Sequence, residues 1–182
     1  MKELALHILD IVQNSIRAEA TIIEIIVEEN TIKDILSIRI KDNGRGMDKT
    51  LIKKVEDPFF TTRTTRKIGL GISLLKFATL QSGGSFNIES KKGKGTMLTA
   101  NFKHSHIDRA PLGRIDETIA TLLMIEDKCE FVYTHYYNHK KFQLDSRDIK
   151  KALGEVSISN YRVINWVKEQ IIKGLKDIKK SI

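Results

Sequence analysis

The chain has 182 residues, 41% hydrophobic and 30% charged, with two prolines and no low-complexity run; this excludes a fibrous or disordered protein and leaves enough length for a sizeable core. Its net charge of +8 favours anionic partners, but the surplus is spread over both halves rather than gathered in a basic arm, so nucleic acid is not among the expected partners. The single cysteine, Cys129, cannot form an internal disulfide, and the longest apolar run, Ile119 to Ile125 broken by Thr121, is well short of the roughly 20 residues that cross a bilayer. With no cleavable signal at the start, we expect a cytoplasmic protein and no membrane partner.

Residues 3 to 19 read as a helix, with Ala5, Ile8, Leu9, Val12 and Ile16 on one stripe and Glu3, His7, Asp10, Asn14 and Arg17 on the other. His7 reads as a packed or pocket-lining side chain. Two isoleucine-rich strands, 22 to 28 and 35 to 41, follow around a polar turn and should pair antiparallel. Helices are predicted over 48 to 55 and 71 to 81, the latter stopped by Ser82-Gly83-Gly84, and a strand pair over 85 to 90 and 96 to 102. Polar residues 104 to 113 read as a linker. Beyond it the pattern is helix (115 to 126), strand (130 to 137), strand (141 to 144), helix (146 to 153) and helix (159 to 178), with Asp145 or Ser146 as an N-cap. His135 and His139 fall in the hairpin, not on one helical face. The last helix, around Trp166, is apolar enough to pack on a core. We therefore expect one domain at 1 to 104 and a small α+β domain at 105 to 182.

Asp10 and Asn14 are four apart and share a helical face, where a carboxylate can take a proton and an amide oxygen can ligate magnesium. Asparagine is a mediocre helix former, so its presence asks for a reason, although a solvated polar stripe also fits. Asp42-Asn43-Gly44-Arg45-Gly46 closes a strand with glycines that let the backbone turn and approach a flat ligand, beside a carboxylate that can accept from an exocyclic amine. Such an acceptor favours adenine over guanine, whose carbonyl oxygen would leave the carboxylate unpaired. A surface turn has the same composition. Gly69-Leu70-Gly71 opens a helix whose free amides could hold phosphate oxygens, yet it is neither a P-loop nor a dinucleotide fingerprint. Thr61 to Ile68, rich in Thr and basic residues, reads either as a cationic lid or as an exposed loop.

Taken with Asp57-Pro58-Phe59-Phe60-Thr61-Thr62-Arg63 and Gly93-Lys94-Gly95-Thr96, these segments resemble, over about residues 1 to 103, the ATP-binding domain of the GHKL superfamily of sensor histidine kinases, anti-sigma-factor kinases, gyrase-type ATPases and MutL. The resemblance implies an α/β sandwich (α+β) with helices on one face of a mixed, mostly antiparallel sheet, binding ATP with magnesium. It implies Asn14 as magnesium ligand, Asp42 as adenine acceptor with Thr96 beside it, Gly44 and Gly46 at the close approach, and Gly69 and Gly71 at the phosphates. Met47, Phe60, Thr61, Lys67 and Leu70 complete the implied ATP-binding set, Lys67 standing where many relatives have glycine. Asp10 occupies the place of a general-base glutamate and is one methylene shorter. No phosphoacceptor helix pair precedes the ATP segment, so the expected acceptor is another protein. The expected function is a cytoplasmic histidine-kinase-like protein kinase acting on a separate substrate; an ATP-dependent switch or anti-sigma-type binding module is the alternative. A homodimer is compatible with either.

Overall fold

The computed structural model describes residues 3–57, 70–125 and 128–180. Helix α1 (Leu4–Arg17) is followed by strands β1 (Ile22–Asn30) and β2 (Ile35–Asp42), helices α2 (Lys49–Glu56) and α3 (Gly71–Gln81), and strands β3 (Ser85–Lys91) and β4 (Gly95–Lys103). Then come α4 (Ile115–Ile125), β5 (Glu130–Tyr137), β6 (Lys140–Asp145), α5 (Ser146–Leu153) and α6 (Tyr161–Lys179).

The strands form one six-stranded sheet in the order β3-β4-β2-β1-β5-β6, antiparallel throughout except where β5 runs parallel to β1. Strand alternation buries Ile23, Ile25 and Val27 of β1 and Leu36, Ile38 and Ile40 of β2 on one face, where they join the buried residues of the helices. The fold is thus a mixed, mostly antiparallel α+β sandwich, as the resemblance implied.

The boundary expected near residue 104 does not divide the sheet. Strand β5 pairs with β1 from Ile22 opposite Glu130 to Glu29 opposite Tyr137, and Phe131, Ile119 and Val167 belong to the same core cluster as Ile25 and Leu98. A parallel neighbour needs a crossover, which α4 supplies by packing beside α1. The polar stretch read as a linker is a strap: the carbonyls of Pro111 and Leu112 accept from the amides of Leu4 and Ala5 at 2.9 and 2.8 Å. These are amides that the first turn of α1 cannot satisfy by itself.

Helix α1 also turns differently from its expected stripes. Leu4, Ile11 and Ser15 are buried with Ala5, Ile8 and Val12, Leu9 and Ile16 are only partly covered, and His7 lies inside. His7 Nδ1 finds no hydrogen-bond partner among the described residues, and burial pulls the imidazole from the usual 6.5 down to about 4. The unfolded chain therefore binds this proton at a higher pH than the folded one, so stability falls as pH drops through the window from 6.5 to about 4. The loss amounts to about 3 kcal/mol at its limit. A His7→Leu variant is expected to flatten the decline of melting temperature across that window; an unchanged slope in thermal melts would assign the decline to other groups.

At the end of β1 remote from Asp42, Glu29 is buried and gathers donors from β5, α6 and the segment that follows β4. His135 Nε2 of β5 lies at 2.9 Å, Lys179 Nζ of α6 at 2.6 Å and His104 Nε2 at 3.5 Å. The Tyr133 hydroxyl, itself buried, meets His135 Nδ1 at 2.7 Å. With its proton on Nε2, His135 donates to Glu29 and accepts from Tyr133, which satisfies all three groups.

Candidate nucleotide site

The site lies at the sheet end where β2 finishes and β4 begins. Asn43 anchors the corner: its Oδ1 accepts from the amides of Thr21 and Ile22 at 2.9 and 3.0 Å, tying the end of β2 to the start of β1. Gly46 then adopts φ 65°, and a Cβ there would stand 2.1 Å from the Lys91 carbonyl oxygen, so only glycine fits. Gly44 is equally confined, since a Cβ would approach the Ala18 carbonyl oxygen to 2.7 Å. Both glycines thus let the corner lie flat against its neighbours.

This packing leaves a cavity of about 140 Å³. An apolar protein cavity of about 150 Å³ is known to take up benzene, so the space suits a flat ring. Ile11, Ile40, Met47, Ile88 and Leu98 line it, with Asn14, Ser15 and Arg17 from α1, and Asp42 and Thr96 at the polar edge. Asp42 is buried and its carboxylate is held from several sides: Oδ1 accepts from the amides of Gly44 at 2.9 Å and Thr96 at 3.2 Å, and Oδ2 from Ser15 Oγ at 2.6 Å. Ser90 Oγ braces Thr96 from behind this edge, accepting from the Met47 amide at 2.8 Å and meeting Thr96 Oγ1 at 2.8 Å.

The structure brings together Asn14, Asp42, Gly46, Met47 and Thr96 around one cavity, with Gly44 donating to Asp42. Asp10 stands beside the opening of α3, because a Cβ on Gly71 would lie 3.1 Å from the Asp10 Cβ. Burial raises the Asp10 carboxyl above its usual range, against the pull of Arg17, which makes the carboxylate a better proton acceptor. Asn14 Oδ1 accepts from Arg17 Nη1 at 2.9 Å. Leu70 stands at the N-cap of α3, just before Gly71, and is half exposed. Phe60, Thr61, Lys67 and Gly69, with the whole segment read as a lid, lie outside the described residues. Among the described residues, no group of three or more His, Cys, Asp or Glu is placed to hold a metal by itself.

Ser15 and Ser90 were not singled out from the sequence. Serine inside a helix is as poorly suited as asparagine, so Ser15 carried the same signal as Asn14. Ser90, in an ordinary strand, carried none.

Residues 2–106 match the family model described as histidine kinase-, DNA gyrase B- and HSP90-like ATPase. The sensor protein kinase FleS of Pseudomonas aeruginosa is 34% identical over 110 residues, covering 60% of this chain and 27% of the relative. The sensor kinase CckA of Brucella abortus is 29% identical over 109 residues, covering 52% of this chain and 12% of the relative. The chain therefore spans only a small part of the length of these relatives. Among solved structures, the N-terminal domain of a DNA repair protein superposes with a TM-score of 0.53 at 16% identity, covering 87% of this chain and 59% of that one, which speaks for the fold alone. No helix among the described residues is long and apolar enough to cross a membrane. With more than half of its length matched by the family model and the fold in agreement, the chain belongs to the histidine kinase-, DNA gyrase B- and HSP90-like ATPases.

Proposed function

We propose that this protein binds ATP in the cleft between α1 and the end of β2, and transfers the terminal phosphoryl group to a separate protein in the cytoplasm. The observation that carries the reading is the Asp42 carboxylate, buried at the polar edge of a ring-sized, mostly apolar cavity and braced by two amides and a hydroxyl. An acceptor so held recognises an exocyclic amine and leaves a carbonyl oxygen unpaired. Asp10 and Asn14 lie along α1, with Gly71 beside Asp10 at the start of α3, where phosphates would extend.

Magnesium suits this donor set, since it takes one or two protein oxygens and completes its shell with phosphate and water. Asn14 would offer its amide oxygen once Arg17 turned from it to a phosphate. When bound, the ion would neutralise charge on the transferring group. Asp10, raised by burial, would accept the proton of the acceptor side chain.

A protein partner is supported by α3. Leu70, Leu74, Phe77 and Leu80 are 46, 41, 61 and 53% exposed and recur at three- and four-residue steps, an uncovered apolar stripe that starts beside Asp10. A substrate seated there would place its acceptor near the phosphates. Two features favour a second reading, an ATP-dependent switch with slow turnover: the Asp10 side chain is short for a base and Asn14 is engaged by Arg17.

Radiolabelled ATP separates the two. Label appearing on a co-purifying protein supports the kinase, release of free phosphate an ATPase, and retention with neither the switch. Asp10→Asn is expected to keep ATP affinity within about threefold by calorimetry while reducing turnover at least about hundredfold, the range of lost general-base catalysis. Normal turnover in that variant would remove Asp10 from the chemistry.

A further inference from the structure

We propose that Ser15 is the positioning residue that sets the base selectivity of the cleft, by fixing the Asp42 carboxylate so that a single acceptor lobe faces the incoming base. This inference rests on the cleft being the ATP site.

A carboxylate has about four lone-pair sites. Two on Asp42 Oδ1 are taken by the amides of Gly44 and Thr96, at 2.9 and 3.2 Å, and one on Oδ2 by Ser15 Oγ at 2.6 Å. The Ser15 hydroxyl also passes the Ile11 carbonyl oxygen at 3.5 Å, but it has one hydrogen, and the shorter contact to a carboxylate is the stronger. One site on Oδ2 remains. Asp42 and Ser15 both line the cavity and are both buried, so the remaining site opens onto the ligand space.

A base presenting one N–H at that point completes the set. A base presenting a carbonyl oxygen sets acceptor against acceptor with no donor to relieve them. Remove the hydroxyl and this argument changes. Oδ2 then has two open sites, and the carboxylate loses its clamp about a torsion that is soft in aspartate. Water can enter the vacated space and donate one hydrogen to Asp42 and the other to a carbonyl oxygen. The rejected base then becomes acceptable. Because Ser15 sits next to Asn14 and on the same helix as Asp10, the same bond also ties the base seat to the phosphate end.

The test compares ATP with inosine triphosphate, which carries a carbonyl oxygen where adenine has its amine, by calorimetry on the full chain. Wild-type protein is expected to prefer ATP at least about tenfold, and Ser15→Ala to lose most of that preference, chiefly by gaining inosine triphosphate affinity relative to ATP. Ser15→Cys, close in volume but a weak donor, should narrow the ratio as well, which covers the case of an unstable alanine variant. Equal weakening of both nucleotides in both variants would leave Ser15 as packing only and overturn the proposal. Wild-type protein that binds ATP without preference would also overturn it, while leaving the nucleotide site in place. Failure of wild-type protein to bind either nucleotide would sink the nucleotide reading, and this inference with it.

Discussion

Replacing Asp42 with asparagine is expected to raise the ATP dissociation constant about a hundredfold, equivalent to about 3 kcal/mol. The size follows from what surrounds the side chain. Three donors converge on the carboxylate, the Gly44 and Thr96 amides and the Ser15 hydroxyl, and a fourth would come from adenine. Asparagine offers one oxygen and one NH2 group to that ring of donors. If its oxygen keeps the two amides, the NH2 faces Ser15 and the adenine amine, donor against donor. If it turns over, the NH2 faces the two backbone amides instead. Either orientation strands buried polar groups, each costing about 1–3 kcal/mol. Calorimetry measures the change, and a dissociation constant within threefold of wild type would remove Asp42 from base recognition.

The largest expected loss of stability comes from Glu29→Ala, far from the cleft. Glu29 is the shared acceptor for His135 and Lys179; without it the buried His135 Nε2–H is stranded, at about 1–3 kcal/mol, whereas Lys179 is 40% exposed and turns to water. For a chain of this size that corresponds to a fall in melting temperature of several degrees, on the order of 5 °C. Glu29→Gln keeps an acceptor for His135 but not the charge for Lys179, and should fall between. The same group carries a pH signature. Burial alone would push its carboxyl up, but hydrogen bonds from His135 and Lys179 and the Lys179 charge outweigh burial and hold it at about 2, against the usual 4.5. The folded state therefore holds this proton less tightly than the unfolded chain. Its contribution, about 3 kcal/mol, is complete above pH 4.5 and drains away as pH falls towards 2. Acid titration of Glu29→Gln should lack that component; an identical acid midpoint would show that Glu29 does not supply it.

What could be read from the sequence divides along a physical line. Asp42, Gly44, Gly46 and Asn14 are residues whose local chemistry is unusual where they stand, a carboxylate among glycines and an amide inside a helix, and such oddities are visible without a fold. The element order was visible for the same reason, since isoleucine alternation marks β1 and β2, and glycines end α3. Contacts between distant positions were not. Ser15 gains its meaning from a residue 27 positions away, and Glu29 from one 106 away. Strand β5 showed its alternation but not its neighbour, because periodicity reports which face is buried and says nothing about lateral order. The polar run after residue 103 looked like a boundary because its side chains are polar, whereas its carbonyls, which composition does not report, hold α1 in place. His7 fell on the polar stripe by spacing yet read as a packed side chain, and it is buried.

The parallel pairing of β5 with β1 has a consequence for how this chain can be divided. The matched family segment ends at residue 106, so that segment taken alone would keep β2 but lack β5, the second of β1's two neighbours. Eight positions of backbone from Ile22 to Glu29 would then face solvent as an isoleucine-rich ribbon, open to cross-molecular pairing and fibre-like association. In this protein the residues past 128 cover that edge of β1 with a paired strand, so the part that matches the family and the part beyond it share one sheet.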